Sequence, residues 1–182
     1  LWISNTNYYG NRLTYLKVVD LPYLGANHFI TSAKLCVRNV YAPTADTAIM
    51  CKEVLEDWNP ETITYATQPK VNGLYQDYCR VLKNQYSWKA FDVTSLARKW
   101  YLGENHGVQL SAPESESSFS QLHSSETANQ ELICKGWFLP PNTYDCGSFV
   151  VNGTAVVGKE PKKPYNRCKS TQKGAELYEI SI

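Results

Sequence analysis

The stretch "YSWKAFDVTSLARKWYLGENHGVQLSA", residues 86–112, decides the fold. Its periodicity changes twice. "YSWKAFDV" (86–93) reads as a strand, and "HGVQLSA" (106–112) is short, alternating and β-like. Between them the spacing turns helical. Val93, Ala97 and Trp100 with Tyr101 fall on one face, and Leu96 and Trp100 form an i, i+4 pair. Thr94 is a good N-cap, Lys99 stands near the C-terminus, and Gly103 suits a left-handed stop. The pattern predicts one short helix, about residues 94–102, that plugs an end of a β-sandwich with Trp100. Asp92 stands just outside the helix N-terminus, where an anion is favourable, so its expected part is structural rather than catalytic.

Outward from this point the strand signals multiply. "LTYLKVVDLP" (13–22) and "ITSAKLCVRNVY" (30–41) read as strands. In the second, Ile30, Ala33, Leu35 and Val37 mark an apolar face, with Lys34, Cys36 and Arg38 on the other. "AIMCKEVLEDW" (48–58) fits helix or strand by periodicity alone. "ETITYATQP" (61–69) and "YQDYCRVLK" (75–83) are further strand candidates, and "ESESSFSQLHSSE" (114–126) reads as a loop or a ragged edge. "SFVVNGTAVV" (148–157) predicts a hairpin, because Asn-Gly between β-branched runs tolerates a type I′ turn. "AELYEISI" (175–182) is an alternating final strand. Short strands with turn signals at this spacing predict an all-β sandwich of one domain, 1–182, and no fixed-period repeat is visible.

Composition narrows the function classes. The 182 residues carry 18 Lys+Arg against 17 Asp+Glu, a net charge of +1. A nucleic-acid partner needs a basic excess or stripe, which this balance lacks. No apolar run reaches the length of a membrane span, and the start shows no basic region followed by an apolar one. Six cysteines stand at Cys36, Cys51, Cys79, Cys134, Cys146 and Cys168. No CxxC occurs, which excludes a zinc ribbon or a thioredoxin-type motif. An even count in a Tyr-rich chain predicts three disulfides in an oxidising compartment, with Cys36 and Cys51 placed to pair across a hairpin. Six buried free thiols are the alternative. Asn152-Gly153-Thr154 is a glycosylation sequon if the source is eukaryotic.

Reactive constellations are absent from the sequence. His28, His106 and His123 form no HxH or HExxH pair, and His28 and His106 follow Asn in loops, where solvation is the expected state. There is no GxSxG and no Gly-rich phosphate loop. The close carboxylates are Glu56, Asp57 and Glu61, and Glu114 with Glu116. A hydrolase needs two carboxyls held across a cleft, which such proximity does not supply. Glu114 and Glu116 read as solvated, with a weak Ca²⁺ site as the alternative. The expectation is a chain that is not an enzyme and holds no cofactor or metal. What remains is aromatic. Trp2, Tyr8, Tyr9, Trp88, Trp137 and Tyr144 are candidates for stacking on the apolar C–H faces of sugar rings, against the competing reading that they fill the core.

In order along the chain stand "LTYLKVVDLPYLGANHFITSAKLCV", "VLEDWNPETITYATQP", "YSWKAFDVTSLARKWYLGENHGVQLSA" and "SFSQLHSSE". Together they resemble the DNRLRE domain, a disaggregatase-related family akin to the TGF-β propeptide-like jelly rolls. Tyr65 stands where that family usually has Trp, and Val108 where it has Phe. Trp58 and Trp100 coincide with family motif positions and are expected in the core. The resemblance implies an antiparallel jelly-roll core over residues 1–133; the chain departs from the family in an extension, 134–182, that carries Cys134, Cys146, Cys168, the hairpin and the expected closing strand. The resemblance further implies an extracellular or cell-surface module that binds a glycan or cell-wall polysaccharide, with no catalytic residue carried over. The alternative is a structural subunit or spacer that self-associates. Family members usually have a strand before the one resembling "LWIS". Its absence predicts a sheet edge filled either by the extension folding back or by a neighbouring chain.

Overall fold

The structure is a computed structural model. It describes residues 1–18, 21, 23–24, 29–115 and 117–123, and beyond them the backbone of strands at 133–139, 147–150, 154–156 and 175–181. The expected alternation becomes strands β1 (Trp2–Thr6), β2 (Gly10–Val18), β3 (Phe29–Asn39), β4 (Thr47–Val54), β5 (Val71–Val81) and β6 (Ser87–Asp92). Helix α1 (Thr94–Tyr101) follows, then β7 (Val108–Ser111) and β8 (Phe119–Gln121). The strands of the extension are β9 (Ile133–Leu139), β10 (Gly147–Val150), β11 (Thr154–Val156) and β12 (Ala175–Ser181). One sheet runs β5-β4-β7-β2-β1-β8, with β12 also paired to β2; the other runs β11-β10-β9-β3-β6. The fold is the all-β antiparallel sandwich that the sequence predicts, with one short helix among the described residues.

The core is where the two inner faces meet. Leu35, Val37 and Phe91 from one sheet pack with Leu16, Ile49, Cys51, Val81 and Leu110 from the other. Burial of each such side chain stabilises by about 1.5–3 kcal/mol. Helix α1 closes part of this core with Leu96, Ala97 and Trp100, the last 6% exposed. Its cap differs from expectation. Val93 holds the N-cap position, and Thr94 is the first helical residue. The Thr94 hydroxyl is turned to β3 instead, where it accepts from Ala33 N at 2.9 Å. Asp92 serves the helix start from outside, its Oδ1 accepting from Thr94 N at 2.9 Å. At the other end Gly103 takes φ +94°, and its N–H reaches Trp100 O at 3.2 Å.

One expectation about an element is corrected. Residues 61–69 form turns rather than a strand. Short polar side chains there satisfy the backbone locally: Thr64 N reaches Thr67 Oγ1 at 2.9 Å, Thr67 N reaches Thr64 Oγ1 at 3.2 Å, and Glu61 N reaches Asn59 Oδ1 at 2.8 Å. The Ser-rich segment takes the second of its two expected forms, a ragged edge: β8 ends its sheet, held because β1 offers it a partner through Ser4↔Phe119 and Trp2↔Gln121.

The disulfide scheme is also corrected. Cys36 lies on β3 and Cys51 on β4, in different sheets, so no hairpin joins them. Cys51 and Cys79 are free thiols, and the Cys79 thiol donates to Ala90 O at 3.2 Å. Only the backbone of Cys134 is described; Cys146 and Cys168 lie outside the described residues, as do His28, Glu116, Tyr144 and Asn152.

The extension adds strands to both sheets. β9 pairs with β3, and β10 and β11 pair as a hairpin through Phe149↔Ala155. β12 lies antiparallel to β2 from Ala175↔Val18 to Ser181↔Arg12. The chain itself therefore supplies a partner to β2. On the opposite side β5 and β6, edge strands of their two sheets, are bridged by side chains. Asp92 N donates to Asp77 Oδ2 at 2.7 Å, and Lys89 Nζ donates to Arg80 O.

Candidate functional site

The turn between β1 and β2 is built from short hydroxyl side chains and a glycine. Thr6 N reaches Ser4 Oγ at 3.2 Å, Tyr9 N reaches Thr6 Oγ1 at 3.0 Å, and Gly10 takes φ +70°. A left-handed residue costs nothing extra at glycine, so the turn tightens there. Its tip carries Tyr8 and Tyr9. The Tyr8 ring meets Tyr9 edge-on at 4.7 Å, and Tyr9 stacks on Phe119 of β8 at 4.5 Å. Trp2 meets Tyr9 at 5.7 Å and Phe119 at 5.4 Å, both edge-to-face. Tyr41, just after β3, closes on Phe119 at 4.7 Å.

Five rings thus form one connected group outside the main core. Tyr8 is its outermost member, 86% exposed, and the other four are half-buried. Edge-to-face and offset stacking are the arrangements that aromatic quadrupoles favour. Arg12 lies over the Trp2 ring with its guanidinium carbon 4.5 Å from the centroid, and its Nε donates to Tyr9 O at 3.0 Å. The guanidinium therefore covers one face of Trp2 and fixes the turn.

The structure brings Trp2, Tyr8 and Tyr9 together and sets Trp88 apart, while Tyr144 and the Trp137 side chain lie outside the described residues. Trp88 sits on β6 in the other sheet, 49% exposed, paired in register with Arg38 of β3. Position 137 is on β9, in register with Ser32 of that same sheet. Sequence reasoning did not single out Tyr41 or Phe119, which reach the group only through long-range pairing. It also did not single out Tyr75 and Tyr78 on β5, about half exposed and edge-to-face at 5.6 Å.

The titratable groups act as struts. His106 Nδ1 lies 2.9 Å from Asp57 Oδ1, and Lys17 Nζ lies 3.2 Å from it. His106, then Lys17, holds the Asp57 carboxyl below its ordinary range. Trp58 Nε1 donates to His106 O at 2.8 Å, so His106 is tied at both its ring and its backbone rather than simply solvated. Trp58 packs beside Tyr15 and Val54 in a second, smaller apolar cluster. Glu114 is exposed. Among the described residues no group of three or more His, Cys, Asp or Glu is placed to hold a metal ion.

The model of carbohydrate-binding module family 96 matches residues 1–135. The chain belongs to carbohydrate-binding module family 96. The match runs into β9, so it takes in α1 and all five rings of the aromatic group in this family 96 module. It supports the carbohydrate-binding class implied by the sequence resemblance, while the DNRLRE name is not the one it carries. No curated protein matches the chain. No helix among the described residues is long and apolar enough to cross a membrane.

Proposed function

We propose that this family 96 module binds a glycan on the aromatic group at the β1–β2 tip, without catalysis, as part of an extracellular or cell-surface protein. The observation that carries the reading is the convergence of Trp2, Tyr8, Tyr9, Tyr41 and Phe119 at the surface of the matched region. Tyr8 is the stacking ring, because it is the exposed one. Tyr9 and Phe119 hold it from behind, and Trp2 with Arg12 forms the flank. A sugar ring stacks its C–H face on such a surface while the tyrosine hydroxyl keeps a polar handle.

The test is a glycan-array screen followed by calorimetry on the best ligand. Aromatic contacts of this kind contribute about 0.5–1.5 kcal/mol. Tyr8→Ala should therefore weaken binding by about 2- to 10-fold, since each 1.4 kcal/mol is a factor of about ten. Trp88→Ala and Tyr75→Ala should leave the affinity unchanged. Loss of binding in Trp88→Ala with none in Tyr8→Ala would move the site to the other sheet.

A further inference from the structure

Asn39 Oδ1, Ser87 Oγ and Thr47 Oγ1 are buried at one end of the sandwich and have no hydrogen-bond partner among the described residues. Such groups are normally satisfied, by protein or by ordered water. Their positions are related. Asn39 ends β3 and is the register partner of Ser87, which begins β6. Asn39 alternates with Val37 and Leu35, and Ser87 is in line with Phe91, so both lie on the core face. Thr47 begins β4 on the facing sheet and alternates with core residues Ile49 and Cys51. The connections 40–46 and 82–86 cross this end and are tied by Asn84 N to Pro43 O at 2.9 Å. Asn39 is 0% exposed and Thr47 7%.

The Asn39 amide cannot turn round to solve the problem. Its Nδ2 donates to two carbonyls, Tyr41 O and Gln85 O. A flipped amide would set oxygen against both. The Oδ1 acceptor is therefore fixed on the inner side.

We propose that an ordered water bridges Asn39 Oδ1 and Ser87 Oγ, with Thr47 Oγ1 as its third partner. Side chains directly opposite on neighbouring strands have Cβ atoms about 4.5–5.5 Å apart, a span that one water fits with a bond on each side. The donors balance: the water donates to the Asn39 carbonyl oxygen and accepts from a hydroxyl, and its second hydrogen serves the other hydroxyl. Two to four polar partners are what a buried water requires. A hard cation suits the place less well. Ca²⁺ takes 6–8 oxygens, usually including carboxylates, whereas these three are uncharged. The nearby Asp46 carboxylate is already engaged, by Lys83 N at 2.9 Å and Arg80 Nη2 at 3.5 Å. The water also supports the surface above it. Asn39 holds the Tyr41 carbonyl, and the Tyr41 ring packs on Phe119.

The experiment is water–protein NOE and ROE spectroscopy on the isotope-labelled full chain. Long-lived cross-peaks from water to the Asn39 side-chain amide are expected, lost or strongly reduced in Ser87→Ala. Thr47→Val is the second variant, and there the same peaks should weaken. Absence of the peaks in the parent protein overturns the proposal. So does their survival at full intensity in both variants. A saturable rise in Tm with Ca²⁺ or Na⁺ that Asn39→Leu abolishes would overturn it in favour of an ion. None of these readouts involves a glycan, so their failure is separate from failure of the proposed function.

Discussion

Gly107 and Asp92 show how much one residue decides here. Gly107 has φ +83°, and a Cβ built on it would lie 2.2 Å from Leu16 O. Both the backbone and the space exclude a side chain. Gly107→Ala should therefore destabilise by at least about 1–3 kcal/mol, the range for a strained non-glycine residue, with the clash added to it. Urea titration measures this, and an unchanged midpoint would refute it. Asp92 acts through charge. The Thr94 hydroxyl and then its backbone N–H hold the Asp92 carboxyl below its ordinary range. A depressed folded value contributes stability above the unfolded value, about 3.9, and loses it as pH falls through the folded one. Asp57 is depressed as well and works in the same window. Asp92→Asn should therefore flatten, without abolishing, the fall of Tm below about pH 4. Identical slopes for parent and variant would sink the idea. Asp92 was legible because it lies beside the helix it serves; the demand on Gly107 comes from Leu16, far away in the chain.

At the scale of elements, legibility follows the range of the forces. Helix α1 was readable because its apolar face recurs within one short segment. The β10–β11 pairing was readable because two β-branched runs stand close together in the sequence on either side of a turn signal. Residues 61–69 misled because threonines alternate there for turn bonding rather than for a sheet face. β8 is three residues long and exists because β1 lies alongside, a fact no local pattern contains. The helix also carries a quantitative expectation. Trp100 packs in the main core with Leu96 and Ala97. Trp100→Ala should cost about 3–5 kcal/mol, the range for deleting a large core ring. Chemical denaturation tests this, and a loss under about 1 kcal/mol would mean that the ring does not fill the core.

For the whole molecule, the sandwich was legible and the allocation of strands to sheets was not. The expected pairing of Cys36 with Cys51 assumed neighbouring strands; the chain instead crosses between sheets at residues 40–46. The aromatic group was half legible for the same reason. Trp2, Tyr8 and Tyr9 are close in sequence, whereas Tyr41 and Phe119 arrive by closure of distant strands. That closure makes a further expectation. Deleting residues 175–182 removes β12 from β2 and leaves an unpaired edge. Amide protection over residues 12–18 should fall, and light scattering should report association. A truncated chain that remains monomeric, with unchanged protection, would show that β12 is dispensable. The same pairing bears on biosynthesis. Ala175 meets Val18, so 157 residues (175 − 18) must be made after Val18 for Ala175 to be in place. At roughly 5–20 residues per second, translation takes about 8–30 s to deliver the second partner after the first. Through that interval the nascent β2 waits without its mate, and the ribosome's pace, rather than any step of the chain's own, sets the earliest moment at which this sheet is finished.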